Sequence, residues 1–440
     1  MTAHAERSAM MSRLHPYAAS LLALVLAVCA GWWAWSLRGS AEKPALPLVQ
    51  GTSREELDAA ERLARARIAA DDTDAPGAVR LAEILLRKAR VDTDAGHAIE
   101  AEQVLEHVLD SQPGEYSALR LLGAVYLSQH RFADAAAVAK RAIDVNDHDA
   151  WNYGMLGDAY VELGQYDAAF EAFNTMVRLR PDAASYARVA YAHELQGRLG
   201  EALRHMQMAA EATGAHDPES LAWHHAQVGN ILFQMGRVDE ASREFARAQH
   251  VFPDHPYARA GLARVAAARG AYERALGMYR ALLDEAPTPE LAATVGDLLA
   301  ATGDAAGAER MYERAEVLER EGWESEEPQP AALARMLAER GRDTNEAVSL
   351  AEEGARHRSD IFTMDALAWA YFQAGRLSDA HKASVQARRT GSVDHRILCH
   401  AAAIEKALSV GGGSGGVDRA QCRFELWMTE PEPQIARLGR

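Results

Sequence analysis

Apolar residues recur along most of the chain at intervals of three and four, the spacing that places them on one face of an α-helix. Each such stretch ends at a glycine, which adopts positive φ at low cost and so terminates a helix. A second periodic stretch starts a few residues later and stops near a proline. The glycines are Gly164, Gly197, Gly236, Gly270, Gly303, Gly341 and Gly375. The pattern predicts helix pairs and no sheet, because no segment alternates with a period of two.

An alanine recurs in the second helix of each pair, at intervals of 34, 33, 39, 34, 33, 39 and 33 residues: Ala135, Ala169, Ala202, Ala241, Ala275, Ala308, Ala347 and Ala380. A small side chain here lets the two helices approach closely, and an aromatic residue four positions later fills the space between pairs. Each pair leaves an apolar face bare, which a neighbouring pair must cover. We therefore expect an all-α, right-handed solenoid of about nine antiparallel helix pairs. The longer intervals predict solvated connectors at about 212–221 and 319–331.

Two segments carry a resemblance to a known family. Residues 156–181 (LGDAYVELGQYDAAFEAFNTMVRLRP) and 367–380 (LAWAYFQAGRLSDA) resemble tetratricopeptide repeats, and the resemblance extends over about residues 74–408. It implies a concave groove, lined by the first helix of each pair, that binds peptides or protein surfaces. One fold hosts many partners, so the resemblance does not identify one.

Matching each first helix to the family's inward-facing positions gives the expected groove lining: Trp151, Asp158, Trp223, Asn230, Phe233, Gln234, Arg264, Asp297, Arg335, Trp369, Phe372 and Gln373. Aromatic rings beside polar amides suit an extended or helical peptide. The alternative for Trp151 and Trp223 is packing between neighbouring helices. Some family members clamp a C-terminal carboxylate, but Asp158 and Asp297 would repel one here.

The segment before the repeats predicts a membrane location for the protein. Residues 17–37 carry no charge, and 21 residues of helix span about 31 Å, close to a hydrocarbon core of about 30 Å. Three tryptophans near its end favour the membrane interface. We expect a transmembrane helix after a short basic tail (1–16) and before an extended tether (38–53). The alternative is a signal peptide cleaved near residues 28–30, where small side chains permit cleavage.

A short basic tail stays in the cytoplasm and a long following domain translocates. The Ala- and Arg-rich composition is typical of bacterial proteins. We therefore expect a single-pass protein of the bacterial inner membrane with its solenoid on the extracytoplasmic side. Cleavage would instead release a periplasmic or secreted protein.

The two ends of the solenoid (54–408) are expected to be closed. An amphipathic helix over about 53–70 would cap the first pair. At the other end, a Gly/Ser linker (409–416) leads to 417–440, where apolar residues share one helical face. That segment is either a closing helix that shields the last pair or a disordered tail that recruits a partner.

Composition and charge narrow the classes of partner. The 440 residues are 48% hydrophobic and carry a net charge of −16, which excludes broad contact with a phosphate backbone and hence nucleic acid. Three cysteines cannot form a disulfide framework. Cys399 and Cys422 could pair outside the cytoplasm.

Candidate chemistry is sparse. His224 and His225 are adjacent, so on a helix they point about 100° apart and cannot chelate together. His395, Cys399 and His400 lie close on the last helix, but packed or exposed side chains are the more ordinary interpretation. No metal-protease, CxxC, nucleophile-elbow or phosphate-loop motif is present. We expect no cofactor and no catalytic residue.

Three functional hypotheses follow. The first is a membrane-anchored scaffold in a cell-envelope assembly, which contacts the bilayer through 17–37 and protein or peptide partners through the groove. The second is a cleaved, soluble extracytoplasmic carrier or chaperone. The third, an enzyme, has no site to support it.

Overall fold

The computed structural model describes residues 54–92, 95–215, 217–325 and 330–409. The expected tail, transmembrane helix and tether lie outside these ranges, as do the linker beyond residue 409 and the segment 417–440. Within the described ranges there are twenty helices and no β-strand. The all-helical expectation is thereby confirmed for this part of the chain.

The helices, numbered α1–α20, run in pairs that we call units 1–9. A single helix, α1 (Arg54–Ala70), comes first. Units 1–3 are α2 (Ala75–Asp92) with α3 (Ala95–Ser111), α4 (Tyr116–Ser128) with α5 (Phe132–Val145), and α6 (Ala150–Glu162) with α7 (Tyr166–Leu179). Units 4–6 are α8 (Ala183–Leu195) with α9 (Leu199–Ala212), α10 (Pro218–Gln234) with α11 (Val238–Val251), and α12 (Pro256–Ala268) with α13 (Tyr272–Glu285). Units 7–9 are α14 (Pro289–Ala301) with α15 (Ala305–Ser325), α16 (Pro330–Arg340) with α17 (Thr344–His357), and α18 (Ile361–Gln373) with α19 (Leu377–Ala387); α20 (His395–Ser409) follows.

The turn inside a unit depends on positive φ. In unit 5, Gly236 has φ +73°, and the N–H of Arg237 donates to the carbonyl of Leu232 at 2.9 Å. This bond from the third residue after the helix satisfies a carbonyl that the helix itself leaves free. Unit 2 has His130 at the equivalent place, with φ +60°. The recurring glycines therefore mark the turns, and unit 2 shows that the pattern tolerates one departure.

Aspartates begin several first helices. The carboxylate of Asp149 accepts from the N–H of Trp151 at 2.9 Å, and Asp182 forms a reciprocal capping box with Ser185. Asp360 accepts from two N–H groups at the start of α18. These caps satisfy N–H groups that have no partner within the helix.

Small residues and aromatic rings interlock between units. Phe245 of α11 is fully buried, and a Cβ added to Gly229 of α10 would lie 2.7 Å from its ring. Gly261, in the first helix of the next unit, is also too close to that ring for any side chain. One aromatic residue thus joins its own unit to the next, and Ala241, one turn before Phe245 on α11, is buried completely.

The two expected connectors are shorter than predicted. Helix α10 already begins at Pro218, and α15 continues to Ser325, through the first seven residues of the acidic stretch 319–331. Extra length in the repeat has lengthened these helices. Glutamate and arginine propagate a helix well, so a charged composition did not distinguish a loop from an exposed helix end.

We predict that Ala241→Leu destabilises the array by about 1–3 kcal/mol, because added carbon atoms have no room at this contact. Ala246, on the same helix, is exposed. Ala246→Leu is therefore the matched control and should leave the melting curve nearly unchanged. Equal melting temperatures for the two variants would show that the packing described around α11 is wrong.

Candidate functional site

All twelve predicted groove residues lie on the first helix of a unit, and we call the side of the array that these helices form the first-helix face. None of them is fully exposed. Six are buried: Asp158, Asn230, Phe233, Arg264, Trp369 and Phe372. The other six are half-buried: Trp151, Trp223, Gln234, Asp297, Arg335 and Gln373. Their role in binding stays a prediction, but the buried members already have partners within the chain.

Asp158 of unit 3 forms a buried ion pair with Arg188 of unit 4. The guanidinium donates to both carboxylate oxygens, at 2.9 and 2.7 Å, and each side chain is no more than 3% exposed. The guanidinium also lies 5.7 Å from the ring centre of Trp151. Because the pair is bidentate and dry, it sets the register between α6 and α8.

A similar link joins units 5 and 6. Arg264 donates from Nη2 to the side-chain oxygen of Asn230, whose amide in turn donates to Gln227 at 3.1 Å. The Arg264 guanidinium lies 4.9 Å from the ring centre of Phe233. Polar first-helix residues that sequence matching assigned to a partner therefore contact the next unit.

The units near the end of the array are connected by a buried network of charges. Glu339 is flanked by Arg335 at 3.4 Å and Arg340 at 3.2 Å. Burial alone would raise its pKa, but these two cations outweigh burial and lower the pKa of Glu339 to about 2. Arg340 also approaches Asp297 of unit 7 at 3.7 Å.

An aromatic stack continues from this network. The ring of Trp369 lies 3.9 Å from that of His400 and 4.8 Å from that of Phe372, nearly parallel to both. Asp365 accepts from His400 Nδ1 at 3.0 Å. Trp369 is 2% exposed, so its ring serves as packing between α18 and α20.

Sequence matching found both members of the Asn230–Arg264 link but missed residues in the other links. Arg188, Glu339, Asp365 and His400 were not among the predicted lining residues. The sequence feature that could have revealed these residues was a charged or imidazole side chain within an otherwise apolar helix. The partner lies on the same helix for Arg335 and Glu339 but in the next unit for Asp158 and Arg188, so the pairs could not be assigned from spacing.

A second set of contacts joins units 3 and 4 to unit 9, across about 195 residues of sequence. Glu162 forms an ion pair with Arg358. The backbone N–H of Ile361 donates to the Tyr166 hydroxyl at 2.8 Å, and Ser359 Oγ donates to the carbonyl of Leu163 at 2.9 Å. These bonds connect the turn of unit 3 to the residues that precede α18.

Apolar side chains complete this contact. Val161 and Leu195, at the ends of α6 and α8, belong to the same buried cluster as Ile361, Met364 and Ile397. None of these five is more than 9% exposed. The first-helix ends of units 3 and 4 are thus covered by a later part of the same chain.

Burial also shifts pKa values at and beside this contact, as Glu194 and His130 show. Burial, together with the nearby Asp394 carboxylate, raises the pKa of Glu194 to about 7, although Gln234 donates a hydrogen bond to it. Burial and the charge of Arg358 lower the pKa of His130 to about 4. Each shift favours the uncharged form of the side chain, because a charge is costly where burial removes water.

The described residues contain no group of three or more side chains suited to hold a metal. His224 contacts Thr213 at 3.0 Å, whereas His225 contacts Glu244 at 2.9 Å, so the two adjacent imidazoles face different neighbours. Cys399 is disulfide-bonded. Cys422 lies outside the described residues, and its pairing with Cys399 stays a prediction.

None of the helices that the structure describes is both long and apolar enough to cross a bilayer. The candidate segment 17–37 is not among them.

Comparisons with known proteins agree with this architecture. A family profile described as tetratricopeptide repeat matches residues 86–150 and 229–288, and a second profile of the same description matches 126–193. A search of curated proteins finds no match.

Several solved structures are similar in part. A tetratricopeptide repeat protein from Parabacteroides merdae is 20% identical, with a TM-score of 0.43, over 54% of this chain and 93% of that one. Yeast Tom70 is 14% identical, with a TM-score of 0.42, over 82% and 87% of the two chains. YrrB, described as having an unusual peptide-binding site, is 20% identical, with a TM-score of 0.31, over 42% and 94%.

The profile matches coincide with units that the structure forms from stacked helix pairs, and the same pairing continues before, between and after them. The protein thus contains a helical repeat array in which residues 86–193 and 229–288 match tetratricopeptide repeats.

Proposed function

We propose that this protein is a scaffold that binds protein or peptide partners on its first-helix face, and that residues 17–37 anchor it to the bacterial inner membrane with the solenoid outside the cytoplasm. The tetratricopeptide-type array supports the binding role, since such repeats are typically non-catalytic interaction modules. The anchor rests on the uncharged 21-residue segment and its terminal tryptophans.

The observation that carries the binding site is the contrast among the first-helix aromatics. Trp369, Phe372 and Phe233 are buried within the array, whereas Trp151 and Trp223 are half-buried. An aromatic side chain that is already partly desolvated and held by its neighbours can anchor a partner with little further loss of entropy. The site therefore centres on units 3–5.

A cleaved, soluble carrier or chaperone is the second candidate. It rests on the small residues at 28–30, which follow an apolar run of signal-peptide length. The groove chemistry would be the same in both cases. Only the attachment of the solenoid to the membrane differs.

We predict that the mature protein keeps its N-terminal segment and fractionates with membranes. The measurement is N-terminal sequencing of the protein purified from its host, combined with extraction by detergent but not by high salt. An N-terminus near Gly31 and release into the soluble fraction would contradict the membrane-anchored scaffold and support the cleaved carrier.

We predict that Trp151→Ala together with Trp223→Ala lowers affinity for a partner by at least about tenfold, because aromatic anchors each contribute about 2 kcal/mol or more. The partner is to be identified first by crosslinking in detergent-solubilised membranes. Binding is then measured with the purified partner, and circular dichroism checks that the array stays folded.

Two comparisons make this result specific. Reversing exposed charges on α15, with Glu313→Lys or Arg314→Glu, should change affinity little, since such charges contribute about 0–1 kcal/mol. Trp369→Ala should chiefly lower stability, by about 3–5 kcal/mol, because its ring is core. Loss of binding in the charge variants alone would place the partner on the acidic outer surface.

A further inference from the structure

The glycines at the turns of units 3–9 share one backbone conformation but not one environment. All seven have φ between +64° and +92°. A Cβ built on Gly236, Gly270, Gly303, Gly341 or Gly375 would meet no atom within 4 Å. Gly164 and Gly197 are different, since each is closely packed by other parts of the chain.

The packing atoms come from the far end of the array. A Cβ on Gly164 would lie 2.5 Å from the carbonyl oxygen of Ser359, and one on Gly197 would clash with the carbonyl of Gly391. Arg389 donates to the Gly164 carbonyl at 3.2 Å and covers the Tyr166 ring at 5.0 Å. Two turns in succession are therefore in register with two later loops.

These contacts indicate how far the array advances along its axis between unit 3 and unit 9. Unit 9 follows unit 3 by six units. The loops that precede α18 and α20 pack directly against the turns of units 3 and 4. A first helix such as α6 has 13 residues, or about 20 Å of length. The end of α6 therefore meets the start of α18, as expected for a rise of about one helix length over these six units, and the apolar side chains at this contact are buried.

The contact covers the carboxyl-terminal ends of two first helices, next to the predicted binding residue Asp158. Glu162 lies one helical turn after Asp158, on the same face of α6, and its carboxylate is taken by Arg358. Val161 and Leu195 are 2% exposed, because side chains from α18 and α20 join their cluster. Since these positions belong to first helices, the chain itself covers this edge of the first-helix face.

We propose that the contacts of 161–166 and 194–197 with 358–364 and 389–397, which we call the clasp, form an intramolecular gate that must open before a partner chain can reach the ends of α6 and α8. The proposal rests on the proposed binding role of the first-helix face. The gate consists of an ion pair, hydrogen bonds and apolar contacts between units that lie six positions apart in the array. It can therefore open without unfolding the units on either side, as repeat arrays are held mainly by neighbouring units.

The test uses the full-length chain with Val161→Cys, and N-ethylmaleimide as the probe. Labelling of residue 161 is followed by mass spectrometry of its peptide, so the native cysteines need not be removed. Adding Gly164→Ala should raise the labelling rate at least about tenfold, because the new methyl group cannot coexist with the Ser359 carbonyl. Adding Gly236→Ala is the matched control, since it imposes the same backbone strain at φ +73° in open space.

The gate is supported if labelling is slow in the parent, faster with Gly164→Ala and unchanged within about twofold with Gly236→Ala. Fast labelling in the parent, or equal rates in the two glycine variants, overturns it. A partner that never binds, with the labelling difference intact, would refute the proposed function and leave the clasp standing.

A second measurement guards against general unfolding. Tyr166→Phe keeps the ring and removes only the hydroxyl that accepts from the Ile361 N–H. Hydrogen exchange at the Ile361 amide should accelerate at least about tenfold, while the Arg237 amide, in the turn of unit 5, keeps its protection. Unchanged exchange at Ile361, or equal acceleration at both amides, contradicts an independent clasp.

Discussion

No helix pair in this array can bury its own apolar surface, and every other feature depends on that constraint. Each pair has one face against its partner helix and further faces that only the adjacent pairs can cover. The contact is made by size complementarity: the Phe245 ring fits where Gly229 and Gly261 have no side chain. Because the fit is local, adding units lengthens the core without enlarging it, which is how the described residues form one stack of helix pairs rather than several compact domains.

Polar side chains on the first-helix face add specificity to this packing. The Asp158–Arg188 pair is almost fully buried, and removing two charges from water costs about as much as their attraction returns. Such a pair contributes little net stability but strongly disfavours any register that would leave one charge alone. The network around Glu339 acts in the same way for the last units. The face that resembles a binding groove is thus, over much of its length, a set of internal links.

The clasp has a different physical character. Packing between neighbouring units involves contacts of short sequence separation, which form at small entropic cost. The contacts of Tyr166 with Ile361 and of Arg389 with Gly164 close a loop of about 200 residues, and they exist only if all the intervening units have the correct curvature. A small change in the angle between units would accumulate over six units and separate unit 9 from units 3 and 4. For this reason the clasp is suited to respond to binding, whereas the packing between neighbours is not.

Much of the fold was predictable from the chain alone, for reasons of period and local geometry. The 3.6-residue pattern indicates helices, the repeated glycines locate the turns, and the alanines at intervals of 33–39 residues define the units. The same information placed the twelve candidate residues on first helices. It overestimated the length of the connectors at 212–221 and 319–331, since charged residues at a helix end resemble a loop in composition.

Burial and distant pairing were decided only by the tertiary structure. Trp151 and Trp369 occupy comparable first helices and look alike in sequence, yet one is half-buried and the other is enclosed by His400 and Phe372. Gly164 and Gly236 are equivalent in the repeat, but only Gly164 has a later loop packed against it. A repeating pattern specifies what each unit offers to its neighbours. The curvature that brings unit 9 onto units 3 and 4 is the sum of many small packing angles, and no single stretch of sequence encodes that sum.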